Sequence, residues 1–180
     1  MKRSMMIGTL VLSLTATGTV AQGMPFGSEE DVDFAAQIWT YLEESKLAGP
    51  GMIRATPYEG TDPHGMMLET FYTTAEIDGH EGDLIVKRNF GPEGVTEDEV
   101  LRNPEEHLAA YTVMFRRTAG YDPENADWYW VKYLPDGALD QTPDGVAMAG
   151  QVAKGMDEGC IACHQSAGED MVFTSDHHAD

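Results

Sequence analysis

Basic residues are scarce in this chain. It carries 11 Lys and Arg against 31 Asp and Glu over 180 residues, and nowhere do the cations gather into the stripe that neutralising a phosphate backbone requires, which argues against nucleic acid as a partner. The acidic residues are spread from Glu29 to Asp180, the pattern of a solvated surface rather than of an acidic tail. Long apolar runs are also missing. The only uninterrupted one, within Met5 to Leu14, is too short to span a bilayer, so no membrane span is expected. There is no internal repeat, low-complexity tract or linker, and residues 22–180 are read as a single domain. Cysteine occurs twice, at Cys160 and Cys163, with His164 directly after the second.

What is present begins with "MKRSMMIGTLVLSLTATGTVAQG": Lys2 and Arg3, an apolar stretch, then small residues ending at Ala21. This is the layout of a secretory signal peptide, residues 1–21, and implies a periplasmic protein. Its removal leaves about 159 residues, enough for one domain with a real core.

Ser28 followed by Glu29, Glu30 and Asp31 marks a helix start, and Val32, Ala35, Ala36, Trp39 and Leu42 recur at helical spacing until Gly49-Pro50-Gly51. "MMLETFYTT" and "DLIVKRNF" are β-rich runs separated by turn residues at Asp78-Gly79 and Gly82. "LAAYTVMFRRTAG" and "DWYWVKYL" form a second antiparallel pair. From Asp144 to His164 the composition turns helical again, so the cysteine motif is expected to close a helix. The expected fold class is α+β, a mainly antiparallel β-sheet of at least four strands with an N-terminal helix and a C-terminal haem-binding helix.

Cys-x-x-Cys-His, here "CIACH", is the attachment pattern for haem c: the thiols meet the two vinyl groups of the porphyrin and the adjacent imidazole turns onto the iron. A redox Cys-x-x-Cys would follow a strand in a thioredoxin-like βαβ unit, which the chain lacks. Zinc would need a fourth ligand, with Cys163 and His164 poorly placed to share one tetrahedral ion. A disulfide across four residues would be strained. An ordinary electron-carrying cytochrome c, with its motif near the N-terminus and a distal Met far downstream, does not fit, since Met171 is the only Met after His164. A helical-bundle cytochrome would need helices where the strands are read.

"HGMMLETFYTTAE", "GDLIVKRNF", "DWYWVKYLPDG" and "GCIACHQSAGEDMVF" resemble, in order and over nearly all of the mature chain, blocks of the cytochrome P-460 and cytochrome c′-β family. The resemblance implies one covalent haem c per chain, held by Cys160, Cys163 and His164, a homodimer, and an iron open on its distal side. It also implies a small gaseous or nitrogenous ligand and a protein that donates or accepts electrons. Members either bind nitric oxide or oxidise hydroxylamine, the latter with a lysine bonded to the porphyrin. Lys87 stands where that cross-link would fall, with Lys132 the weaker candidate; a solvent-facing strand lysine is the alternative. The carboxylate base of the hydroxylamine oxidisers would fall at Gly155, which has no side chain, with Asp157 and Glu158 nearby.

Further candidates follow from the chemistry. Met67, Phe71, Phe90 and Phe115 are candidate liners of an apolar distal pocket, with plain sheet core the favoured reading for each. Arg88 and Arg116 are candidates for a propionate, or exposed strand arginines. His64, in "DPHG", is a second axial ligand or a turn residue, and His177 and His178 belong to a polar tail. Two functions stay open: a cytochrome that binds nitric oxide or related small nitrogen species, and a hydroxylamine-oxidising enzyme. Alternation along β-rich "LIVKRNF" makes Ile85, Lys87 and Asn89 share one face and Val86, Arg88 and Phe90 the other. The haem-facing set decides whether Lys87 is buried.

Overall fold

The computed structural model describes residues 24–173; the signal segment 1–21 and the tail histidines His177 and His178 lie outside them. Six strands form one antiparallel sheet in sequence order: β1 (Tyr58–Glu59), β2 (Met67–Ile77), β3 (His80–Phe90), β4 (Leu108–Arg116), β5 (Trp128–Tyr133) and β6 (Ala149–Gly150). Each neighbour pair is reached by a local connection, so the sheet is a meander. The two expected strand pairs are its centre. The β2–β3 hairpin turns at Asp78-Gly79, both with positive φ (53° and 71°), while Gly82 lies within β3 opposite Ala75. Two further helices, α2 (Glu97–Arg102) and α3 (Pro104–His107), precede β4. The Thr96–Glu99 capping box of α2 is legible in "TEDE".

Helix α1 (Glu29–Glu44) starts at the expected Ser28, whose hydroxyl accepts from the Asp31 amide while the Asp31 carboxylate accepts from the Ser28 amide. It buries Phe34, Ala35, Ile38 and Leu42 against Leu84, Val86, Tyr111, Val113, Phe115, Tyr129, Val131 and Tyr133 of the sheet. Burying each large side chain here contributes about 1.5–3 kcal/mol. The Tyr129 hydroxyl donates to the Asp31 carbonyl and the Tyr133 hydroxyl to that of Ala35 (2.7 Å), which fixes the helix along the strands.

The helix expected over 144–164 is a correction. Gly145, Gly150, Gly155 and Gly159 all adopt positive φ (81°, 106°, 73° and 120°), so the chain breaks repeatedly and runs as turns and edge strand β6. Only α4 (Cys160–His164) is helical there. This segment covers the other sheet face, where Val152, Ala153 and Ile161, together with Met171 further along, pack on Ile85, Met114, Trp128 and Trp130.

Candidate functional site

Antiparallel register places two rows of side chains on that second face. Ile85, Met114 and Trp130 stand across β3, β4 and β5; one step along, Lys87, Thr112 and Lys132 do the same. Both rows floor a cavity of about 610 Å³, within the range of small-molecule and cofactor sites. Its rim comes from the loop Asp62–His64, from Asp157–Gly159, from Cys160, Cys163 and His164 of α4, and from Val172 and Phe173.

The motif is held by its surroundings. Trp128 Nε1 donates to the Asp170 carbonyl at 2.7 Å. Beyond the helix, Gln165 donates to Asn125, which donates to the buried Asp122, whose other oxygen receives Lys154 at 2.7 Å. His164, 6% exposed, lies with Nδ1 at 2.8 Å from the Met171 carbonyl. A carbonyl only accepts, so Nδ1 carries the hydrogen and Nε2 keeps its lone pair for a metal. Burial pushes the His164 pKa down, and the Met171 carbonyl works against it. Trp130 packs edge-on to this ring at 4.7 Å between centroids. The cysteines are unbridged, Cys160 half-buried and Cys163 exposed. Burial raises the Cys160 pKa and so keeps its thiol protonated.

Lys87 is on the cavity wall, as the face set of Ile85, Lys87 and Asn89 required if inward. Burial lowers its pKa, which favours the neutral amine, and no carboxylate reaches it among the described residues. Lys132 differs in being paired with Asp140 at 2.8 Å. Gly155 is not part of the lining, whereas Asp157 and Glu158 are.

Several open alternatives are resolved. Met67 and Phe90 pack with Val100, and Phe71 and Phe115 with the α1 core; the apolar floor is Ile85, Met114 and Trp130 instead. Strand alternation explains the swap, since even-numbered β3 residues and odd-numbered β4 residues point at α1. Arg88 is neither exposed nor in the cavity: it is fully buried under α1's trailing loop, bonded to Glu69 at 2.8 Å and to the Leu47 and Ile53 carbonyls. Arg116 pairs with Asp83 at 3.0 Å and lies over Trp128. His64 is more than a turn residue, for Gly65 brings the loop onto β3 where a Cβ would meet the Phe90 carbonyl at 3.0 Å, and the imidazole enters the cavity. Burial, with Lys87 and His164 adding to it, pushes its pKa down to about 4.

Two buried side-chain atoms lack any partner among the described residues: Trp130 Nε1 and Asn89 Oδ1. Both belong to residues whose strand positions put them on the cavity face. Buried polar groups are nearly always matched, so this face is less completely finished by the chain than the α1 face. A haem fits the donor set: an apolar floor for the ring, two thiols at its rim and one imidazole lone pair for iron. Sequence reading missed Thr112, Trp130 and the Met171 carbonyl. The first two stand in rows with Lys87 and Ile85 that only strand register reveals.

The fold and site define a one-sheet α+β protein with a thiol- and imidazole-rimmed cavity on the sheet face away from α1. Comparison with protein-family models, with curated proteins and with solved structures finds no match to this chain. Among the described residues no helix is long and apolar enough to cross a membrane, and no three His, Cys, Asp or Glu side chains gather as metal ligands.

Proposed function

We propose that this chain is an exported, periplasmic c-type cytochrome carrying one covalent haem c, whose open distal site binds nitric oxide or a related small nitrogen species and exchanges electrons with a partner protein. The observation that carries the reading is the convergence of Cys160, Cys163 and the unprotonated Nε2 of His164 on one apolar-floored cavity. Each thiol would add across a vinyl group, sulfur to one carbon and hydrogen to its neighbour, with no oxidant needed. When bound, the haem supplies an iron that takes up small diatomic ligands. The protein's part is to orient and to exclude water: Met171 fixes the His164 ring, the Asp122–Asn125–Gln165 chain anchors α4, and Ile85 and Met114 keep the floor dry. Pairing of two copies as a homodimer belongs to the same proposal.

Acid-acetone extraction tests it: colour should stay on the polypeptide, and colour passing into the organic phase rejects the reading. His164→Ala should retain the attached haem and lose the native spectrum. Ferrous protein should be five-coordinate and high-spin before ligand is added.

A hydroxylamine-oxidising enzyme is the second reading, favoured by one observation: Lys87 stands on the cavity wall with no acid partner among the described residues, and Asp157 and Glu158 share the lining. In that case the Lys87 peptide would remain joined to the haem peptide after digestion, and Lys87→Leu would move the spectrum to that of an ordinary haem c. Turnover that falls in Asp157→Asn or Glu158→Gln would mark the base.

A further inference from the structure

Two tryptophans of one strand reach His164 by different routes. Trp128 and Trp130 are two residues apart on β5, so their side chains share one face of the sheet. Trp130 packs edge-on to the imidazole, with 4.7 Å between centroids. Trp128 acts further back. Its Nε1 donates to the Asp170 carbonyl at 2.7 Å, and the next residue, Met171, supplies the carbonyl that receives the His164 Nδ1 hydrogen.

That acceptor sits on an unusual piece of backbone. Met171 is buried with φ at 59°, in the left-handed region that residues other than glycine enter only at a cost. The turn is closed on both sides of it. The Met171 amide donates to the Gly168 carbonyl at 3.1 Å, and the Val172 amide to Asp170 Oδ1 at 3.2 Å. Asp170 thus uses its carbonyl to reach Trp128 and its carboxylate to reach across Met171. Trp128 is itself fixed. It is buried, stands opposite Arg116 in the β4–β5 register, and carries the Arg116 guanidinium 4.2 Å over its ring. Arg116 in turn bonds Asp83 and the Ala126 carbonyl. A strained backbone persists where its surroundings over-determine it, and here the indole N–H ties it to the sheet.

We propose that Trp128 and Asp170 are positioning residues for His164: by holding Met171 left-handed they keep its carbonyl on the Nδ1 hydrogen, and so set how strongly Nε2 donates to iron. The inference rests on the haem reading above. An imidazole that gives its Nδ1 hydrogen to an acceptor becomes more basic at its other nitrogen, which strengthens the bond to the metal and favours the oxidised state. Loosening the turn therefore weakens the iron–histidine bond and raises the reduction potential.

The test uses the intact haem protein. Trp128→Phe keeps an aromatic ring under Arg116 and deletes the N–H. It should lower the iron–histidine stretching frequency of the ferrous state, read by resonance Raman, and raise the reduction potential. Asp170→Ala, at an exposed position, should shift both the same way by less, and Asp170→Asn, which keeps an oxygen for the Val172 amide, should restore the wild-type values. Should Trp128→Phe fail to fold, the two Asp170 variants decide. A stretch and potential that stay at wild-type values in Trp128→Phe and Asp170→Ala overturn the assignment. Stability lost in urea without a shift in either does the same, because Trp128 would then be a structural residue alone. Wild-type protein without covalent haem, which peptide mass detects separately, rejects the cytochrome reading and this assignment with it.

Discussion

On the α1 side of the sheet, the buried Arg88 guanidinium finds Glu69 and the Lys46, Leu47 and Ile53 carbonyls. On the opposite side, the equally buried Trp130 indole N–H and Asn89 carbonyl oxygen find no partner among the described residues. The same strands make both faces. One face is finished by the chain itself, with α1 and its trailing loop supplying apolar surface and acceptors. The other is left with unmatched polar atoms, a half-buried amine and two imidazoles around an open volume. Native interiors rarely leave such atoms unmatched, so the contrast separates a face closed by the chain's own packing from one that is not.

The largest break in that contrast is Glu69→Ala, which leaves Arg88 buried without its carboxylate. Loss of about 3–5 kcal/mol is expected in urea denaturation. A loss below about 1 kcal/mol would mean that the backbone carbonyls alone satisfy the guanidinium. Next come matched truncations on the two faces. Ile38→Ala opens a void in a closed core and should cost about 2–5 kcal/mol. Ile85→Ala only widens an existing cavity, so in haem-free protein it should cost about 1 kcal/mol. Equal costs would show that the cavity face is as closed as the other.

An alkaline titration sharpens the comparison further. Burial pushes the pKa of Tyr129 and Tyr133 well up. Unfolded tyrosines release their protons near pH 10 while these two hold theirs, so stability present below about pH 10 falls as pH rises beyond it. Ultraviolet difference absorbance at about pH 11 should therefore count fewer than the 7 tyrosines of the chain until unfolding, when the rest ionise together. The smallest effect is expected for Trp130→Phe. It deletes an N–H with no partner, so haem-free protein should change by less than about 1 kcal/mol. A large loss there would reveal an acceptor within the protein itself.

The opening helix, the four central strands and the clustering of Cys160, Cys163 and His164 were legible along the chain because each depends on local rules: a capping box, period-two alternation, fixed spacing. Local reading failed over 144–164, where apolar spacing looked helical but four glycines broke the backbone. It also failed on which aromatic residues meet the cavity, since Phe71, Phe90 and Phe115 are as apolar as Ile85 and Met114 and differ only in the face they occupy.

By itself the sequence determined helix α1, the four central strands, the acidic character and the presence of a thiol-imidazole motif, all properties of neighbours in the chain. Only the tertiary structure decided that Arg88 is a buried structural cation while Lys87, one residue earlier, faces the cavity. It alone brought His64 within 6.1 Å of His164, across a hundred residues of chain, and seated Thr112 between His64 and Asn89. The reason is physical: hydrogen-bond partners and burial depend on which strands lie side by side, and strand order and register are set by the whole sheet packing at once.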